Sequence, residues 1–187
     1  MANFFALRAC LVLLVHMVPG QLEELEIDRA TASSFTNGNE PRLAIDKDIT
    51  TFFKSKEGPV DLDPYLRLYL RRPAEVASVK VVNKYQTITK YCKTEDTGCT
   101  VSLNRTEIRL YESDEDGSNS SICGTIYVNT DGYSAENQTY TVNCGKFVAK
   151  FVELRRKYLD DASRFFNIVE VSVNGTYLDG ESKTLDY

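Results

Sequence analysis

Short runs of apolar and aromatic residues, separated by turn-forming clusters, pattern this chain along most of its length. The runs are 65–70 (YLRLYL), 76–83 (VASVKVVN), 107–111 (EIRLY), 125–128 (TIYV), 147–154 (FVAKFVEL) and 167–173 (NIVEVSV). Each is rich in β-branched and aromatic residues, and the intervening TNGNEP, KSKEGPVDLDP, RRP, SDEDGSNSS and NTDG clusters are turn chemistry. In the last run Val169, Val171 and Val173 fall on one face and Glu170 and Ser172 on the other, the alternation of a half-buried antiparallel strand. The run 147–154 is apolar on both faces, which predicts a central strand. No long stretch has helical periodicity and no repeat is evident. Several short strands at this spacing predict an all-β chain, an antiparallel β-sandwich or jelly roll.

The N-terminus has a different character. Arg8 precedes a short apolar run, 9–15 (ACLVLLV), and a small-residue exit, HMVPG. This is the grammar of a secretory signal peptide, and the apolar run is too short to span a bilayer. Cleavage after Gly20 divides the chain into a signal peptide, 1–20, and a single domain, 21–187, with its core at about 25–178 and a short polar tail. His16, the only histidine among 187 residues, leaves with the signal, and Cys10 leaves with it, turning five cysteines into four. Arg8 also goes, so the formal charge of −5 becomes one unit more negative. That acidic balance argues against nucleic acid as a partner and against purely electrostatic attraction to a membrane. No second apolar segment approaches membrane-spanning length, and the expectation is a secreted, soluble, extracellular protein.

Four cysteines in an oxidising compartment read as two disulfides with three possible connectivities. Pairing Cys92 with Cys99 and Cys123 with Cys144 is preferred because each bridge closes a polar, turn-rich loop. The sequons at Asn104, Asn119, Asn137 and Asn174 predict N-glycosylation and surface positions.

Catalytic chemistry finds little support. Without a histidine no Ser-His or Cys-His pair can form, and no local motif singles out a carboxylate pair for glycoside hydrolysis, so the expectation is a non-enzyme. The acidic run ESDED, 112–116, does not follow the spacing of an EF-hand loop and reads as a solvated loop. Asp46 and Asp48, two residues apart in AIDKDITT, form an Asx-type turn that can also supply hard oxygen ligands to calcium.

The order of these segments resembles a known family. ATASSFTNGNEPRLAIDKD is followed by PYLRLYLRRPAEVASVKVVNK, by TEIRLYES, by Cys123 and Cys144, and by FVAKFVEL and FFNIVEVSVNG. Over residues 25–178 this is similar to a discoidin-like domain (the coagulation-factor C-type fold), and more specifically to an F-type lectin, or fucolectin, domain. The resemblance implies a galactose-binding-domain-like jelly roll whose loops at one end hold ligand beside a structural calcium. The calcium ligands it implies are Asp46 and Glu170, with Asp48 contributing mainly through its backbone carbonyl. Fucose in the family is clamped by a histidine and two arginines, with a pair of adjacent cysteines against the sugar. The first arginine maps to Lys84, which keeps the charge but loses the bidentate fork. The second falls at Ser102, with Arg105 close but shifted. The histidine and the adjacent cysteines have no counterpart; Cys92 and Cys99 stand apart in a lengthened loop. These departures remove most directional donors of a fucose pocket, which costs several kcal/mol of binding.

The resulting expectation is a recognition module that binds extracellular glycans or glycoproteins through the end holding Asp46 and Lys84, with chemistry unlike the fucose site. The loop 85–103 is its expected specificity element. The alternative is a protein-interaction or cell-adhesion module, with a protein receptor as partner, that keeps the fold and has dropped sugar binding. A membrane-contacting variant of that alternative has one candidate, Phe52 and Phe53 beside Lys54 and Lys56.

Overall fold

A computed structural model describes residues 22–56, 60–61, 63–84, 103–113, 120–128, 138–156 and 166–178. The expected signal peptide, the loop with Cys92, Cys99 and Ser102, and the sequon asparagines Asn119 and Asn137 lie outside the described residues. The strands are β1 (Glu23–Glu24), β2 (Ile27–Ala32), β3 (Phe53–Lys54), β4 (Tyr65–Asn83), β5 (Thr106–Tyr111), β6 (Ser120–Ile126), β7 (Thr139–Arg156) and β8 (Asn167–Tyr177). All pairings are antiparallel. The one helical element among the described residues is a 3-10 turn, Pro41–Ala44, and no helix there is long and apolar enough to cross a membrane.

Two long strands build the sandwich by serving both of its layers. The first half of β4 pairs with β2 and with the C-terminal half of β7, which pairs in turn with β5, and β5 with β6. The second half of β4 pairs with β8 and with the N-terminal half of β7; β1 and β3 border β8. The expected RRP turn is therefore absent: β4 runs through it, and the bend appears as a register irregularity between Tyr69 and Ala74. Pro73 is tolerated because it sits at that irregularity, where a ladder N–H is not needed. Because β4 doubles back, its first residue, Tyr65, and its last, Asn83, lie at the same end of the sandwich.

Alternation supplies the core. Leu66, Leu68, Ile108, Leu110 and Leu154 from the first layer meet Val79, Val81, Val171 and Val173 from the second, all essentially inaccessible to solvent. At the end where β4 starts and finishes, Phe53 and Phe166 close this core edge to face, with ring centroids 6.1 Å apart. The C-terminal half of β7 is covered on both faces, as the run there suggests, although Phe147 at its start is exposed and the outer cover is not aliphatic. Tyr69, Phe151 and Tyr111 stack across β4, β7 and β5, and Arg67 lies against Tyr65 and Phe151. The Cys123–Cys144 bridge ties edge strand β6 to β7 across a sequence separation of 21 residues.

Candidate functional site

The segment between the 3-10 turn and β3 folds on its own short polar side chains. The Asp46 Oδ1 atom accepts the Asp48 N–H at 3.0 Å, and Asp46 Oδ2 accepts the Thr51 hydroxyl at 2.8 Å. The Asp48 Oδ1 atom accepts both the N–H (2.8 Å) and the hydroxyl (2.7 Å) of Thr50. These two bonds hold the Asp48 carboxyl below its ordinary range. They also commit that side chain to the turn. Lys47, between the two aspartates, adopts a left-handed φ of 63°, and its N–H donates to Glu170 Oε2 at 3.0 Å. A non-glycine residue holds that conformation only where its surroundings repay the strain, here the bond to Glu170.

Glu170, on β8 opposite Val82, is half-buried. Burial, reinforced by the negative charges of Asp46 and Glu24 and opposed by the Lys47 N–H and ammonium, pushes its carboxyl up to about 7. Beside it an open groove of about 530 Å³ is walled by Glu24, Glu26, Ile45, Lys47 and Glu170. The fold thus brings Asp46 and Glu170 close enough to repel, and a divalent cation relieves that kind of repulsion. Asp48 does not join them through its side chain. Among the described residues no three His, Cys, Asp or Glu side chains form a metal-holding group. A calcium ion here would take two carboxylates and complete its shell with backbone carbonyls, which suits its preference for mixed oxygen ligands.

Lys84 follows directly on β4 and reaches the same loop. Its Nζ lies 4.6 Å from the centroid of the Phe52 ring. Phe52 is one residue beyond Thr51, so the lysine and the Asp46 turn are parts of one surface. Phe53, by contrast, is completely buried, and the pair cannot act together as a membrane-contacting tip. Phe52 is the residue whose role the sequence does not reveal: its ring meets Lys84 only through the pairing of Phe53 and Asn83 with Ile168.

Arg105 is exposed, in the turn leading into β5, with a left-handed φ of 62° and its N–H bonded to Ile126 O at 2.8 Å. It lies at the same end of the sandwich as Lys84 but in the other layer, since β5 starts opposite Arg156, whose N–H donates to Pro64 O. Of the sequon asparagines, Asn104 and Asn174 are both half-exposed; the Asn104 side-chain carbonyl accepts the Val128 N–H at 3.2 Å.

No family model and no curated protein sequence matches the chain. Solved structures do. A fucolectin from the serum of striped bass (Morone saxatilis) aligns over 81% of this chain with a TM-score of 0.61 and 22% identity; the chain spans about half, 46%, of that protein. A Clostridium perfringens carbohydrate-binding module in complex with GalNAc-β-1,3-galactose aligns over 78% of this chain and 93% of its own, with a TM-score of 0.57 and 22% identity. A second module from that organism, in complex with galactose, aligns over 81% and 99%, with a TM-score of 0.56 and 16% identity. The chain has the F-type lectin and discoidin-like fold, an all-β galactose-binding-like jelly roll.

Proposed function

We propose that this chain is a secreted, non-catalytic carbohydrate-recognition module that binds glycans at the end of the sandwich formed by Phe52, Lys84 and the Asp46 turn. The observation that carries the reading is the placement of Lys84 over Phe52 on the loop that also contains Asp46. A cation, an aromatic ring and a polar turn there converge on one exposed surface, the composition of a saccharide site. The solved structures of this fold that carry galactose and GalNAc-β-1,3-galactose support the same class of ligand.

Calcium belongs to this reading as a structural ion. Asp46 and Glu170 would hold it, and Asp48 would contribute its carbonyl. The ion would brace the loop that presents Phe52 and would supply no chemistry to the ligand. Glycosylation at Asn104 and Asn174 is part of the same secretory account. Thr106, which completes the Asn104 sequon, is fully buried once folded, so attachment there precedes folding.

A glycan array probed with the wild type and with Lys84→Ala tests the proposal. Binding to a defined sugar class that the variant loses supports it; undiminished binding by the variant removes this surface from the account. A second reading, docking of a protein partner, is favoured by the outer face of the first layer. Tyr, Phe and Arg side chains line it, the residue types enriched in protein interfaces. A blank array from folded protein moves the weight to that face.

A further inference from the structure

Lys84 does more than sit near the ligand end: it occupies the face of the aromatic ring that a neutral sugar would use. Carbohydrate sites commonly offer an aromatic face for the apolar side of a pyranose, but a ring whose face is taken by an ammonium at 4.6 Å has lost that surface. The ring instead backs the cation, holding it by its quadrupole. An ammonium held this way still has N–H donors that the ring does not use, and has surrendered part of its rotamer entropy before any ligand arrives.

The surrounding charges sharpen the point. Carboxylates at this end of the sandwich are bonded to other groups: Asp61 accepts the hydroxyls of Ser33 and Ser34, Asp63 pairs with Arg155, and in the adjoining turn Asp46 accepts the Thr51 hydroxyl and Asp48 the N–H and hydroxyl of Thr50. Glu153 is enclosed by Arg67 and Arg155. Among the described residues neither Lys84 nor Arg105 has a carboxylate partner. Within the described residues these two cations form no ion pair, at the ligand end of a chain whose overall formal charge is −5.

We propose, building on the glycan-recognition reading, that this site selects anionic sugars, and that the Phe52-backed ammonium of Lys84 is the group that contacts the sugar's carboxylate or sulfate ester. Lysine suits this task as a compact charge with three donors that accepts either anion without the fixed fork of arginine. Because the protein as a whole is acidic, attraction over long range is weak. Selectivity arises at contact, from a charge-assisted hydrogen bond.

The experiment measures binding of the secreted, full-length protein by titration calorimetry against three probes: digalacturonate, its methyl ester and galactose 6-sulfate. Esterification removes the charge while leaving the hydroxyls in place, so acid against ester isolates the anion. The expected result is affinity for the acid about tenfold above that for the ester, equivalent to about 1.4 kcal/mol. Lys84→Gln, a change at a half-exposed position that keeps a donor, erases the difference while leaving the melting temperature unchanged. Phe52→Leu narrows it by releasing the ammonium, with an unchanged melting temperature showing that the loop is intact. Preference for galactose 6-sulfate over digalacturonate, also lost in Lys84→Gln, identifies the anion as a sulfate ester. Equal affinity for acid and ester, or a preference that survives Lys84→Gln, overturns the inference while leaving a neutral-sugar lectin standing. Binding of none of the three, with neutral glycans bound on an array, rejects the anion and spares the lectin. Binding of none of the three, with a blank array as well, fails the glycan reading itself.

Discussion

Arg67 and Glu153 stand directly opposite each other on β4 and β7, with Arg67 Nε 2.6 Å from Glu153 Oε2 on a carboxylate that solvent does not reach. Arg155 and the Tyr111 hydroxyl complete the enclosure at 3.5 and 3.3 Å. A charge this deep on a sheet face survives because each of its oxygens has a partner, and removing one partner costs far more than the pair contributes. Arg67→Met is expected to lower stability by about 3 kcal/mol, since it strands a buried carboxylate. Glu153→Gln is expected to cost less, because the partly exposed Arg67 can turn to water. Denaturant unfolding of both variants checks the ranking.

The Cys123–Cys144 bridge fastens a strand that has neighbours on one side only. Its loop is of moderate length, and replacing both cysteines with serine is expected to cost about 3 kcal/mol, mainly by freeing the unfolded chain. Thermal melts with and without reductant measure this. No change in melting temperature would show that β6 docks unaided.

Gly175 is a steric requirement of the β4–β8 pairing. A Cβ atom at this position would lie 2.1 Å from the Glu75 carbonyl oxygen, a backbone atom that cannot step aside. Gly175→Ala is expected to destabilise by about 3 kcal/mol or to prevent folding. A wild-type melting curve from the variant would mean that β8 can shift against β4.

Calcium gives the turn a distinguishing pattern of variants. Adding calcium to chelated protein is expected to raise the melting temperature, with a gain of about 2.7 kcal/mol at a hundred times the dissociation constant. Asp46→Asn and Glu170→Gln are expected to abolish the rise. Asp48→Asn is expected to keep most of it, because that carboxylate serves Thr50 and the residue would reach an ion only through its backbone carbonyl, which also accepts the Thr51 N–H and hydroxyl at 3.2 and 3.1 Å. Loss of the response in Asp48→Asn alone would reverse these assignments.

Much of this architecture was legible in the chain, for reasons visible at particular residues. The Val169, Val171, Val173 alternation marked β8 because a strand with one wet face must repeat every two residues. β5 announced itself likewise. β4 was harder: Arg71, Arg72 and Pro73 carry turn chemistry, but at a sheet-to-sheet bend that chemistry serves a strand that continues. The N-terminal half of β7 was missed because Thr139, Thr141 and Asn143 face solvent and leave no apolar run to read.

The site was legible in part. Asp46 and Asp48 were singled out by their spacing, and Lys84 and Glu170 through the order of segments that the family resemblance rests on; the fold brings Asp46, Glu170 and Lys84 to one end. Phe52 was not assignable, because the contact with Lys84 depends on β3 and β4 both pairing with β8, which no local pattern encodes. The buried state of Glu153 was hidden for the same reason: its cover comes from Arg67 on another strand.

The central claim is that the end bearing Phe52, Lys84 and the Asp46 turn recognises glycans. A glycan array read with the folded protein in calcium, and again in chelator, tests it most directly. The account expects signal confined to one sugar class and weakened in chelator as the loop loses its brace. A blank array in both conditions, from protein shown to be folded by its melting curve, would contradict it.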